Sequence, residues 1–263
     1  MSQWLVSNMP SWLLLLTLVA VTAGLAMAVQ VFVRRRYPKL RGEEHNDVTK
    51  FAFGVVGLVF AFFIGFVVSA MWGQINDADG RARTEGAAGV ELARSVTIFD
   101  QPDRDRIRQS LLDYENAAVI EWSEAAGGRH YPEADKALAS LRSAYEGVQT
   151  HSRAQETVLA MSFANLDSLS QARTQRVLQA RTDIGPPWSL WAVIFLTGGL
   201  LLGCAIIYGV EKHTTHFTMV AILGVLVGAE LFLVLELSHP FIGEIATSPE
   251  PLREVIRALS SNP

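Results

Sequence analysis

Glu230, Glu236 and His239 lie in the stretch GAELFLVLELSHP, where carboxylates and an imidazole interrupt an otherwise apolar run. An ionised carboxylate at the centre of a membrane helix costs on the order of 2.5–3.5 kcal/mol, so Glu230 must face protein or water, or carry a proton. Two readings fit it: a pore-lining or proton-accepting group, or a neutral carboxyl hydrogen-bonded to a neighbouring helix. Glu236 and His239 are three residues apart, so they share a helical face near the end of the span and could pair where headgroup water reaches them. Glu230 and Glu236 are six residues apart and point about 120° from one another on an ideal helix. They do not form a single two-carboxylate site.

The elements that must position these groups are membrane helices. Half of the 263 residues are hydrophobic, only 18% are charged, and the mean hydropathy is positive, which is too apolar for an ordinary soluble domain. Four segments reach the roughly 20 residues needed to cross a hydrocarbon core: Trp12 to Val33, Phe51 to Met71, Trp188 to Gly209 and Phe217 to Leu237. Ala26-Met27-Ala28 resembles a signal-peptide cleavage site, but no Lys or Arg precedes the first span, which therefore reads as an uncleaved anchor.

Between the first two spans lie Arg34, Arg35, Arg36, Lys39, Arg41 and Lys50, so loop 34–50 is expected on the cytoplasmic side of a bacterial inner membrane. Both termini and the middle segment would then lie outside. Arg173, Arg176 and Arg181, shortly before the third span, argue the other way, and the turn with Glu211, Lys212 and His213 adds little.

The middle segment, polar and rich in Ala, Arg, Glu and Ser, lacks strand-like alternation and predicts long helices. Asp79 to Ile98 reads as one, with many small residues on its apolar face. Asp100 as a cap and Pro102 near the start introduce a second, Asp103 to Ala126. After the turn Gly127 to Pro132, residues Glu133 to Thr182 form one long helix or a broken pair. Pro186 and Pro187 end the region.

The fold class expected is thus an all-α membrane protein: four transmembrane helices with a long helical extramembrane hairpin between the second and third. Its divisions are residues 1–75, 76–187, 188–240 and a tail, 241–263, carrying a short amphipathic helix Leu252 to Leu259 with Ser248 as a cap beside Pro249. Small residues at regular spacing, Gly57, Ala61 and Gly65, Gly199 and Gly203, Gly224 and Gly228, would let these spans approach one another or a second subunit closely.

Other chemistry finds little support. No basic stripe with interleaved aromatics suits a nucleic acid, and the net charge is −4. Cys204 is the sole cysteine, so neither an intrachain disulfide nor a cysteine zinc site can form. GxSxG, HExxH, P-loop and GxGxxG patterns are absent, and His130, His151, His213 and His216 are scattered. Neither an enzyme, a cofactor nor a metal site is expected; the expected partners are the lipid bilayer, other copies of the chain and ions.

Several stretches carry a resemblance. The run Glu236 to Gly243, containing Pro240 and Phe241, followed by Ser248-Pro249-Glu250-Pro251-Leu252, resembles the ending of the bacterial bestrophin-like membrane proteins. HNDVTKFAFGVVGLVFAFFIGFVV from His45, the Glu85-Gly86-Ala87-Ala88 segment and DYENAAVIEWSEAAGG from Asp113 extend the likeness over most of the chain. Ser238 stands where that family often has an acidic residue, while Asn46 and Gly57 agree with its second-span pattern. The resemblance implies an oligomeric channel-like assembly, since bestrophins are pentameric anion channels. Glu230 would repel anions unless protonated, so a cation or proton path fits its charge better. Phe60, Phe62, Phe63 and Phe66 approach an aromatic neck but suit lipid contact and packing. A non-conducting scaffold or sensor that binds a partner through its helical domain is the alternative, and it would hydrogen-bond Glu230 within one subunit.

Overall fold

The structure, a computed structural model, describes residues 2–38, 46–182, 185–210 and 213–261. Lys39, Arg41 and His45 of the basic loop, and Glu211 and Lys212 of the turn, lie outside the described residues. Every regular element among the described residues is helical: α1 Ser2–Asn8, α2 Ser11–Arg36, α3 Asn46–Ser95, α4 Gln101–Ala126, α5 Pro132–Glu146, α6 Arg153–Arg181, α7 Trp188–Ile207, α8 His213–Leu237 and α9 Glu250–Ser261. Four of them, α2, α3, α7 and α8, are long and apolar enough to cross a membrane.

The chain divides into two compact units, Met1–Gly73 with Ile184–Ile245, and Gln74–Asp183 with Ala246–Pro263. In the first, α2 and α8 form the most extensive helix pair, and α7 packs on both. Ala26, Ala205, Ile206 and Val220 make one buried cluster there, and Val6, Leu14 and Leu235 another. In the second unit, α4 packs against α5, α6 and α9. Leu111, Tyr114, Leu141, Tyr145, Leu166 and Leu169 fill its core.

Two boundaries differ from those read in the sequence, and one open alternative is decided, each for a local reason. The second span and the helix expected from Asp79 are one continuous helix, α3, of 50 residues. Its polar middle, GQINDADGRARTEG, contains no proline, and lone glycines cost only about 1 kcal/mol each relative to alanine, too little to break a helix held at both ends by packing. The segment Glu133 to Thr182 is a broken pair. Gly147 caps α5, and Ser152 opens α6, its hydroxyl accepting the Gln155 amide at 3.2 Å.

Asp100 does stand at the N-cap of α4 but makes no side-chain cap bond. Its carboxylate instead lies 3.4 Å from the Gln155 side-chain amide and 3.4 Å from His151. Finally, α8 starts a turn before Phe217, because His216 is buried: its Nδ1 accepts from Arg34 at 2.7 Å and its Nε2 donates to the Ala205 carbonyl at 2.9 Å. Both ring nitrogens are occupied, which leaves none for a metal.

Candidate functional site

The glycines of α8 set its orientation. A Cβ added at Gly224 would stand 2.6 Å from the Ala23 Cα, and one at Gly228 would collide with Thr22 and the Val19 backbone, so α2 passes directly against this face. Thr22 ties the two helices by donating to the Gly224 carbonyl at 2.9 Å. A Cβ added at Gly57 would stand 3.6 Å from Leu201 of α7, and one at Gly198 would stand 3.4 Å from Val227 and 3.5 Å from Phe60, ordinary packing distances. Gly65, Gly199 and Gly203 instead face open space within the chain. No close contact places Ala61 against a neighbour.

Glu230 points away from the α2 contact. At about 100° per residue it lies roughly 140° around α8 from the mean direction of Gly224 and Gly228. It is half-buried and forms no hydrogen bond or ion pair with any other described residue. The seven residues from Glu230 to Leu237 place it about 10 Å from the end of the helix.

Glu236, by contrast, is buried at the end of α8, and Oε1 accepts a 2.8 Å hydrogen bond from Ser11 at the start of α2. Oε2 is buried and accepts none from the described residues. The backbone reverses next to it: the His239 amide donates to the Glu236 carbonyl at 3.3 Å, and the Ile242 amide to the His239 carbonyl at 3.2 Å. Gly243 has φ +108°, and a Cβ there would stand 2.8 Å from Glu236 Oε2 and 2.9 Å from Val6. Only glycine fits both the backbone and the space. Ser238 is buried and bonds back to the Val234 carbonyl at 2.6 Å. Glu230 and Glu236 thus occupy different surroundings, one open at the surface of the chain and one tied to α2.

The second unit contains a larger cluster of buried charge. Arg176 of α6, 1% exposed, binds Glu85 of α3 in a fork, Nε to Oε2 at 2.7 Å and Nη2 to Oε1 at 3.0 Å, and reaches Glu121 of α4 at 3.3 Å. Arg173, one turn earlier, holds Glu121 through Nε at 2.9 Å and Nη2 at 2.6 Å, and Asp135 of α5 at 2.7 Å. The Trp122 ring lies 5.3 Å from the Arg176 guanidinium, and Tyr114 donates to Glu85 at 2.8 Å. Burial pulls the Arg176 guanidinium down, but the charge and hydrogen bonds of Glu85 more than offset it, so it is held firmly protonated. Burial and the neighbouring Glu85 and Glu115 push the Tyr114 hydroxyl well above its usual range. A buried ion network of this kind is a stability hazard unless its charges are matched; here Arg173 and Arg176 pair with Glu85 and Glu121, and Asp135, the outermost member, stays half exposed.

The Bestrophin-like domain model matches residues 20–252 of this chain. The chain belongs to the bestrophin-like family. Its fold is similar to solved structures of a bacterial bestrophin homolog from Klebsiella pneumoniae. One point variant of that protein is 14% identical over 94% of this chain and 99% of that chain, with a TM-score of 0.71. Another is 15% identical over 94% and 97%, with a TM-score of 0.69. Among curated proteins, none matches.

In this bestrophin-like protein the segments that carry the sequence resemblance meet in space. EGAAG supplies Glu85, and DYENAAVIEW supplies Tyr114, Glu115, Glu121 and Trp122. The tail motif divides between the two units: Pro240, Phe241 and Gly243 follow α8, whereas Ser248, Pro249, Glu250 and Pro251 open α9. The Ser248 hydroxyl accepts the Glu250 amide at 3.4 Å, and Glu250 pairs with Arg257 at 2.7 Å. The Pro251 carbonyl would stand 2.5 Å from a Cβ at Gly86, so α9 rests on the α3 backbone there.

Arg173 and Arg176, first read for topology, are the residues that sequence reasoning missed. The signal was their spacing: with Leu166 and Leu169 they form a continuous buried stripe on α6.

Proposed function

We propose that this bestrophin-like membrane protein is a subunit of an oligomeric ion path, and that Glu230 is its intramembrane acidic group, with Glu236 and His239 at the end of the same helix. The reading rests on one observation above all. Glu230 sits within an apolar span, half-buried, with no hydrogen-bonding partner among the described residues. A carboxylate in that position is costly against lipid, and a water-filled axis between subunits removes the cost. The scaffold alternative required the opposite, a Glu230 satisfied inside one subunit.

The exposed faces support assembly. Within one chain only 17% of the most apolar stretch of α2 and of α3 is buried, 28% of α7 and 33% of α8. Gly65, Gly199 and Gly203 lie on open surface, where small residues allow a second copy to approach. The family comprises channels rather than enzymes. The acidic group favours cations or protons over anions, and the excess of Lys and Arg in loop 34–50 supports a cytoplasmic loop in a bacterial inner membrane.

Reconstituted protein tests this. Wild type in liposomes is expected to dissipate a cation or proton gradient, and Glu230→Gln to change the rate about tenfold or its pH dependence, the scale of a contact worth roughly 1.4 kcal/mol. Equal fluxes from the two folded proteins, or none from either, would remove Glu230 from any ion path.

A further inference from the structure

Among the described residues, Glu115 is the acidic side chain of the buried cluster that has no hydrogen-bonding partner. It is 0% exposed, and neither carboxylate oxygen makes a hydrogen bond to a described residue. The two buried guanidiniums are already matched by Glu85 and Glu121, which makes Glu115 a surplus carboxyl. Its surroundings explain how it is enclosed. A Cβ added at Gly89 of α3 would stand 2.6 Å from Glu115 Oε1 and 2.8 Å from a Val255 methyl, so a glycine makes the slot and Val255 of α9 closes it.

The lid is held by apolar contact. Leu252, Val255 and Leu259 of α9 are buried, and Arg108 of α4 donates to the Leu259 carbonyl at 2.6 Å. The charged residues of α9 stay on its outer face: Glu250 and Glu254 pair with Arg257, and Arg253 lies 3.6 Å from Glu250. None is buried against Glu115.

We propose that a proton on Glu115 holds the C-terminal helix α9 in place, so that α9 is docked while this carboxyl is neutral and is released when it ionises. Every element packed around Glu115 bears on the outcome. From α3 comes Glu85, already bonded to Arg176 and Tyr114; from α4 itself comes the Tyr114 hydroxyl; from α6 comes Arg176; and α9 presents the aliphatic Val255. Arg176 favours the ion: its Nε and Nη2 are taken by Glu85 and Glu121, while its Nη1 is buried and makes no hydrogen bond to a described residue. Burial, and then the Glu85 charge, hold the Glu115 carboxyl well above the ordinary carboxylate range, and Arg176 only partly opposes them.

The sign follows. The docked state binds the proton more tightly than the undocked one, in which Glu115 meets water and titrates in the ordinary carboxylate range. Docking is therefore strongest below that range and weakens as pH rises through the raised value of the closed slot.

Spin labels on Gln109→Cys of α4 and Ser260→Cys of α9, both exposed positions, report the docking by dipolar broadening in full-length Cys204→Ala protein in lipid nanodiscs. In otherwise native protein the broadening is expected at low pH and is lost as pH rises. Glu115→Gln, neutral at every pH, keeps it throughout. Val255→Ala admits water to the slot and moves the midpoint towards acid. Broadening that never changes across the range in which the helices stay folded overturns the proposal. So does a Glu115→Gln protein that folds yet titrates as the native one does. If Glu115→Gln fails to fold, the Val255→Ala midpoint decides: an acid shift supports the latch, and an unmoved midpoint overturns it. None of these readouts depends on ion flux.

Discussion

Replacing Arg176 with methionine is expected to destabilise the helical unit by about 3–5 kcal/mol, the cost of leaving buried carboxylates uncompensated. Arg176 is 1% exposed, and its fork is the main partner of Glu85, which is itself 0% exposed. Methionine matches the length of the side chain but donates nothing. Glu85 would keep only Tyr114, and Glu121 would keep Arg173. The fluorescence of Trp122, which stacks against the guanidinium, follows the transition in a denaturant titration of the detergent-solubilised protein. Adding Glu85→Gln to the methionine variant removes the stranded charge and is expected to recover part of the loss, because residues of one network do not act additively. A loss below about 1 kcal/mol for Arg176→Met would show that the cluster is not a matched core but a set of exchangeable surface pairs.

Gly224→Val is expected to have the second-largest effect, in the membrane unit. The new side chain meets the α2 backbone at Ala23, and backbone cannot move aside as the tip of a side chain can. Overpacking of this kind costs about 1–3 kcal/mol, with the Thr22 bond to the Gly224 carbonyl strained in addition. Gly199→Ala, on open surface of the same unit, is the matched control and should leave the stability of the subunit unchanged. Melting followed by size-exclusion recovery in detergent separates the two. Equal melting temperatures would mean that α2 and α8 are not in backbone contact.

These effects differ in how far they could be read from sequence. Membrane spans are legible because length and hydropathy alone specify them: three of the four expected spans lie within α2, α3 and α8, and the third overruns the end of α7 at Ile207 by two residues. Turn chemistry was legible at Gly127 to Pro132, where glycines and a proline force it, whereas the break at Gly147 stayed an open alternative. The continuity of α3 was not, because a polar stretch between an apolar span and an Ala-rich helix has no local signal that distinguishes a turn from a helix. Glu230 stood out by its chemistry, but what it faces is set by the glycines of α8 against α2, which sequence spacing leaves undecided.

The buried cluster was the least legible part. Arg176 and Glu85 are 91 residues apart, Arg173 and Glu121 are 52 apart, and Ser11 reaches Glu236 across 225. Each residue alone reads as an ordinary charge on a polar helix. Only tertiary packing turns the charges of α3, α4 and α6 inward, and only then does Glu115 emerge as a buried carboxyl without a hydrogen bond to any described residue.

The most direct test of the ion path is thiol modification at its centre. Glu230→Cys in a Cys204→Ala background, reconstituted in a planar bilayer, is exposed to a water-soluble, positively charged thiol reagent while current is recorded. A carboxylate position on a shared aqueous axis is expected to react at rates near those of a free thiol and to block or invert the cation preference of the current. A cysteine that stays unmodified, or one that is modified with the current unchanged, contradicts the account.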